Sequence, residues 1–510
     1  MLRSLIKSLL IKSHLMQEGP LSFDLVVVGA GSGGLAAARA ASKLGVRVCL
    51  IGSNESEIGG TCVNRGCVPK KLFWCEAERM LHLLRERSPF IKYSLQEERR
   101  NGFAFLDEGC APLVQPELRN HCLTCPSPDE RRVQMRLFDW KAFIQALRQY
   151  ILHLHSVYEN ALKKDNITVI SGNARLVDKK TVQVNDSIIK ARYVILATGS
   201  HPVIPKNVPG HHLGITSDEF FTLEDQPRRC AIIGGGYVAV ELAGVLESLG
   251  TEVTLFVREA RVLPSFDEDM QEAMTEHLSK RTCINLKLNV KVKELKEGIK
   301  VIYDDEESKE FDCVIWAVGR AGNTQIVKDI EVDLDGSFIA TDDNDMRCMS
   351  RGKPVDTLFA IGDVTGKHML TPVAIAAGRR LANLLFAKQA LPLLDPTQIP
   401  SVLFSHPPIG MCGLTEKEAR QRHADIQVYR RSFTGLQHAF IPEGCRPRSF
   451  YKLITEPGGR IVGVHIFGPG SDEAMQGFAA AMQAGLTKQQ LDQTIAIHPT
   501  SIEELLGMTE

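Results

Sequence analysis

The chain lacks an excess of either charge: 60 Lys and Arg stand against 61 Asp and Glu, a formal net charge of -1 over 510 residues. No global field draws it to nucleic acid or to an acidic surface, so any recognition of charge must be local. It also lacks an uninterrupted apolar run of about 20 residues, the length a membrane helix needs. The nearest candidate, Leu25 to Ala38, is crowded with glycine. Cysteine is sparse, 13 in the whole chain, and no secretory signal with a cleavage pattern opens it. Both facts argue against a disulfide-stapled secreted scaffold. What is left is an intracellular globular protein with 24% charged and 44% hydrophobic residues, long enough for about three or four domains.

The N-terminal "MLRSLIKSLLIKSHLMQ" carries Arg3, Lys7 and Lys12, no acid before Glu18, and Leu2, Leu5, Ile6, Leu9 and Leu10 on one helical face. That is the composition of an organelle transit peptide; the competing reading is an alternative start at Met16. The expected location is the cytoplasm, with a mitochondrial form if the leader is read.

Phe23 to Val28 is a short β-branched run leading into "GAGSGGLAAARAASKLG", a strand, a tight turn and a helix. The same grammar returns at "CAIIGGGYVAVELAGVLESLG", followed by the strand "TEVTLFV". Two such units imply two nucleotide-binding domains. Short strands come next between Val290 and Trp316, "LFAIGDV" reads as a buried strand entering a loop, and after Pro396 strands precede helices, as in an α+β domain. The expected class is α/β, with two Rossmann-like dinucleotide-binding domains and a C-terminal α+β domain. Its expected segments are a leader at 1–21, a first dinucleotide-binding domain at 22–200, a second at 201–320, a further segment at 321–395 and the α+β domain at 396–510. Within the first domain, periodicity vanishes between Asn101 and Arg136, a proline-rich charged insertion. Cys110, Cys122 and Cys125 with His121 could be arranged as a zinc site, but His121 and Cys122 are adjacent and the fourth ligand is uncertain, so a surface loop and no metal are expected.

Three features carry chemistry. In "GGTCVNRGCVPKK", Cys62 and Cys67 lie five positions apart at a helix start. In a regular helix their Cα atoms would be about 8 Å apart, too far for an unstrained bridge. A disulfide there needs a distorted first turn, which Gly66 permits. Strained, accessible disulfides tend to be labile and catalytic ones; two buried thiols are the alternative. Next, Gly29, Gly31 and Gly34 form a GxGxxG turn that lets backbone approach a pyrophosphate. The ribose-binding acid expected after the following strand is replaced by Gly52, with Glu55 or Glu57 as substitutes. The second turn has Gly234, Gly236 and Ala239, and its strand ends in "FVREAR". Arg258 there suits the 2′-phosphate of NADP, with Arg261 assisting. Finally, His498 lies five residues before Glu503, a spacing that brings the carboxylate to the ring.

Together with "LATGSHPVIP", "AIGDVTGKHMLTPVAIAAGRRLA" and "HPTSIEELL", these motifs occur in the order found in the pyridine nucleotide-disulfide oxidoreductases, which the sequence resembles from Asp24 to Glu504, most closely in their glutathione reductase branch. The resemblance implies FAD and NADPH as cofactors and glutathione disulfide as substrate, and it makes 22–200 the FAD-binding domain, 201–320 the NADPH-binding domain, 321–395 a central FAD-associated domain and 396–510 the interface (dimerisation) domain. It makes Cys62 the interchange thiol, Cys67 the flavin-side thiol, and Lys70 with Glu241 a pair beside the isoalloxazine. Tyr237 would cover the nicotinamide pocket. Ser32, Thr61 and Asp363 would touch FAD, and Arg320 would be a further cofactor contact. His498, oriented by Glu503, would serve the other subunit of a homodimer as acid–base.

For the substrate, the resemblance assigns Ser32, Arg39, Val157, Tyr158, Thr371 and Arg379. Arg39 and Arg379 suit an anionic disulfide, whereas trypanothione reductases carry a glutamate where this chain has Ala36 and a tryptophan where it has Arg39. Reduction of a related disulfide, of trypanothione or thioredoxin type, is the alternative. So is a catalytically silent paralogue, motivated by Gly52, by the insertion, and by Pro264, which stands where the family usually has a second phosphate-binding arginine.

Overall fold

The computed structural model describes residues 21–84, 135, 137–304, 306–389, 395–441 and 446–509. The leader at 1–20 and the candidate zinc residues Cys110, His121, Cys122 and Cys125 lie outside the described residues. The described chain divides into two compact units. One is formed by the described residues of Met1–Asn64, Leu152–His201 and Ala321–Leu394, the other by those of Arg65–Ile151, Pro202–Arg320 and Asp395–Glu510.

The first unit is built on an eight-stranded sheet. Its central strand, Leu21–Val28, runs parallel to Val48–Gly52 on one side and Ser187–Leu196 on the other, with Leu25 opposite both Val48 and Tyr193. The run "LVVV" is buried on both faces, which is why it reads as continuous apolar sequence rather than as alternation. The helix Ser32–Lys43 covers one face through Leu35, Ala37, Ala38 and Ala41. Against it lies the helix Thr371–Ala382, so closely that a Cβ on Gly378 would collide with Gly33 O and Ala37 N. Small residues on both helices are the condition for that approach.

The second unit contains two five-stranded sheets. One is all parallel, in the order Asn285–Lys287, Glu252–Phe256, Arg229–Ile233, Cys313–Trp316, Ile215–Thr216. The other is all antiparallel, in the order Ser401–Leu403, Ile409–Gly413, Ile461–Phe467, Ser449–Thr455, Gln427–Phe433. The helix Tyr237–Ser248 packs on the parallel sheet with Ala239, Val240, Leu242, Ala243, Val245 and Leu246 buried. The segment "HPTSIEELL" carries a single 3-10 turn, Ile502–Leu505. Among the described residues no helix is long and apolar enough to cross a membrane.

Candidate active site

In the first unit the backbone of the first glycine turn is over-determined. Gly29 has φ +116°, and a Cβ there would strike Ala197 O; a Cβ on Gly34 would strike Gly29 O. Gly31 differs. It caps the following helix with φ -80°, has no side-chain cap, and a Cβ would meet only Gly60 Cα at 3.8 Å. Ser32 is the first helical residue. Asp363 lies in the turn Gly362–Thr365, and its Oδ2 accepts a hydrogen bond from Ser200 Oγ at 3.1 Å. Glu55 opens the 3-10 turn Glu55–Glu57 after the second strand.

Thr61 and Cys62, both partly buried, sit on the short helix Gly60–Arg65. Cys67 starts a separate helix, Cys67–Leu84, so the two cysteines do not share one continuous helix, and the break falls at Gly66. Burial raises the Tyr158 phenol pKa, with the negative charge of Cys62 adding to the effect and Arg39 opposing it. These three residues therefore belong to one electrostatic neighbourhood. Arg39 is tied to Asp165, Nε to Oδ2 at 2.6 Å. Val157 is exposed, Thr371 begins its helix, and Arg379 lies exposed in that helix's last turn.

In the second unit Gly234 has φ +139°, and a Cβ would strike Ala317 O, whereas a Cβ on Gly236 would meet nothing within 4 Å. Tyr237, partly exposed, opens the helix. One turn on, Glu241 is 4% exposed; it takes Lys70 Nζ at 2.9 Å and the Phe404 N–H at 2.8 Å on the same oxygen, Oε1. Lys70 Nζ also lies 4.0 Å from the Phe404 ring centroid. A buried carboxylate is tolerable here because a cation and an amide share it. Arg258 is exposed and paired with Glu259. Arg261 lines an open cleft with Glu272 and Glu276. Arg320 is half-buried and donates to Asp218 Oδ1 at 3.0 Å.

His498 is brought to Glu503 as the spacing implies: Nδ1 lies 3.1 Å from both carboxylate oxygens. The carboxylate is also held by the Thr500 N–H at 3.2 Å. With Nδ1–H directed at Glu503, Nε2 is the atom left for proton transfer. The ring is 80% exposed, and its neighbours Ile495 and Ile497 are exposed at 92% and 74%.

Sequence reasoning assigned no role to several residues that the structure ties to the site. Asn64, between the two cysteines, donates to Gly60 O at 2.9 Å and Ile58 O at 3.2 Å, and its Oδ1 meets buried His155 Nε2 at 2.7 Å. Because the amide nitrogen already serves two carbonyls, the histidine must carry its proton on Nε2. Asp218 collects Arg65, at 4.0 Å, as well as Arg320. Glu259 adjoins Arg258, and an acid beside a phosphate-binding candidate is the one signal in the sequence that points to it.

Two family profiles match. Residues 23–378 match "Pyridine nucleotide-disulphide oxidoreductase", and residues 399–508 match its dimerisation domain. The chain belongs to the pyridine nucleotide-disulphide oxidoreductases. Among curated proteins, a glutathione reductase of Schizosaccharomyces pombe is 37% identical over 95% of this chain and 98% of its own length. One of Debaryomyces hansenii is 33% identical over 95% and 98%. A flavoprotein disulfide reductase of Escherichia coli, RclA, solved as a Cu(II) complex, shares the fold with a TM-score of 0.75 at 23% identity, covering 95% of this chain and 98% of that one. For a member of this oxidoreductase family, Gly31 and Gly236 acquire a reason. Neither is required by its protein neighbours, and each caps a helix whose first N–H groups no cap side chain claims. A dinucleotide diphosphate fits both places.

Proposed function

We propose that the protein is an NADPH-dependent glutathione-disulfide reductase that uses FAD and the Cys62–Cys67 pair and acts as a homodimer. FAD, when bound, supplies the relay of an electron pair from NADPH to the cysteine bridge. The Cys62 thiolate attacks one sulfur of glutathione disulfide, the substrate S–S bond breaks, and the departing thiolate takes a proton from His498 Nε2 of the partner subunit. Cys67 then attacks the Cys62 sulfur of the mixed disulfide, which releases the second glutathione and restores the bridge. Glu503 holds the ring tautomer and stabilises the imidazolium. Tyr158 and Arg39 share the electrostatic neighbourhood of the attacking sulfur, and the Lys70–Glu241 pair would stand beside the isoalloxazine as a charge-balanced pair.

The observation that carries the reading is the His498–Glu503 dyad: an imidazole oriented by a carboxylate and exposed beside two exposed isoleucines, on a segment that matches a dimerisation domain. A second subunit covering Ile495 and Ile497 supplies both the apolar burial and a use for the ring.

The test is NADPH oxidation by the purified protein with glutathione disulfide, trypanothione disulfide and thioredoxin disulfide in parallel. Turnover with glutathione disulfide and its loss in Cys62→Ser, with FAD retained, is the expected result. Full turnover by Cys62→Ser defeats the mechanism. A flavoprotein that reduces none of the three is the silent paralogue.

A further inference from the structure

The end of the strand after the second glycine turn differs from a simple phosphate clamp. The Arg258 side chain is 82% exposed, and its Nε donates to Oε1 of Glu259, which is only 36% exposed. The other oxygen, Oε2, lies 3.8 Å from the point that a Cβ on Gly235 would occupy, so the carboxylate faces the middle of the glycine turn. Main-chain bonds fix this arrangement from both sides. The Asn289 N–H donates to Glu259 O at 3.1 Å, and the Leu263 N–H donates to Gly235 O at 2.6 Å. Arg261 lines the cleft that contains Glu272 and Glu276, and Pro264 carries no charge.

In a dinucleotide fold, an acid after the second strand accepts a hydrogen bond from the ribose 2′-hydroxyl of NAD, whereas a 2′-phosphate wants an arginine there. Such a phosphate carries about -1.5 to -2 charges near pH 7 and is repelled by a carboxylate. Here one residue pair offers both chemistries, and the two oxygens of Glu259 divide the work. We propose that Glu259 is the specificity-determining residue of the nicotinamide coenzyme site and that it opens the site to NADH as well as NADPH. With NADH the Arg258–Glu259 pair stays intact while Oε2 accepts the 2′-hydroxyl. With NADPH the exposed guanidinium swings to the phosphate, and the carboxylate beside it costs part of that gain. The narrow discrimination is the sum of the two effects. This inference rests on the reading of the second glycine turn as a nicotinamide dinucleotide site.

The experiment is equilibrium binding of NADP⁺ and NAD⁺ to the FAD-loaded dimer by calorimetry, for the wild type, Glu259→Gln and Arg258→Gln. Glu259→Gln is near-isosteric, and both positions are exposed or half-exposed. The wild type is expected to bind the two nucleotides within about tenfold of each other. Glu259→Gln is expected to tighten NADP⁺ and weaken NAD⁺, widening the ratio about tenfold or more, while Arg258→Gln weakens NADP⁺ alone. A wild type that prefers NADP⁺ by more than about a hundredfold, or a ratio unmoved by Glu259→Gln, overturns the inference and leaves the enzyme reading standing. Binding of neither nucleotide overturns the dinucleotide reading of this turn, and the inference with it.

Discussion

The two glycine turns share a grammar but not their tolerances. In the first, the third glycine cannot accept a side chain, because a Cβ on Gly34 would strike Gly29 O. In the second, the same place is Ala239, whose methyl is wholly buried without conflict. The first helix therefore lies tighter against its turn than the second. The strand ends differ in the opposite sense. The strand after the first turn ends on Gly52, uncharged, and the one after the second leads into a charged segment that runs from Arg258 and Glu259 to Asp267. Backbone packing dictates the glycines, and ligand chemistry dictates the residues beyond the strand.

The hardest way to break the comparison is Gly34→Ala against Ala239→Gly. The first should abolish FAD retention, so that the purified protein is colourless, because the turn must open to admit the methyl. The second should cost only about 1 kcal/mol, the ordinary penalty for glycine in a helix. Equal effects on thermal midpoint and flavin content would show that the two turns pack alike.

Next in size is Lys452, which anchors the far end of the charged segment. It is 1% exposed, and its Nζ meets Asp267 Oδ1 at 2.7 Å, Asp269 Oδ2 at 2.6 Å and Glu416 Oε2 at 2.8 Å. Asp267 also caps the helix Glu268–Arg281. Lys452→Met leaves a buried carboxylate uncompensated and should cost about 3–5 kcal/mol in a urea titration. Burial opposes ionisation of Asp267, but the facing His465, the Glu416 N–H and Lys452 outweigh it and lower its pKa; Glu416, also opposed by burial, is lowered by Lys452 and Arg420. Carboxylates lowered in the folded state stabilise it above their unfolded pKa values, and that stability is lost as pH falls through the folded ones. Wild-type stability from this cluster should hold down to about pH 4 and decline below it; in Lys452→Met the decline should shrink or reverse, because burial without the ammonium raises the folded-state pKa values toward or above the unfolded ones.

Gly31→Ala and Gly236→Ala sharpen the comparison, because here the two turns should behave alike. Neither position has positive φ and neither Cβ meets a close neighbour. Each alanine should raise apo-protein stability by about 0.4–1 kcal/mol through the unfolded chain. Each should also weaken its dinucleotide by about 10–100-fold, since the methyl takes diphosphate space. Opposite signs in melting temperature and nucleotide titration are the expected signature; parallel losses would mean the glycines serve the fold.

Legibility in the sequence obeys the same division. Both turns could be found from the sequence because glycine spacing acts directly on local backbone, and His498 with Glu503 because five residues of chain fix their geometry. Lys70 and Glu241, 171 positions apart, are connected only through the family resemblance, since no local rule pairs such distant residues. Glu259 facing Gly235, Asp218 between two arginines and His155 behind Asn64 depend on tertiary approach, for which hydrophobic period and turn chemistry carry no signal.

The smallest effect tests that last group. His155 is not among the expected substrate-binding residues, yet its Nε2–H is the donor that lets Asn64 spend its amide on Gly60 O and Ile58 O and so fix the helix that carries Cys62. His155→Ala leaves the Asn64 carbonyl without this donor, worth about 1–3 kcal/mol if the amide cannot turn. The amide can relieve that by rotating, and then it releases the two carbonyls. In either case Cys62 is held less firmly. Turnover with glutathione disulfide should fall several-fold while KM for NADPH stays constant, because the second glycine turn is untouched. His155→Gln, which restores an N–H donor, should recover much of the loss. A fall in KM and kcat together, or no recovery with glutamine, would mean that His155 acts through bulk packing rather than through that hydrogen bond.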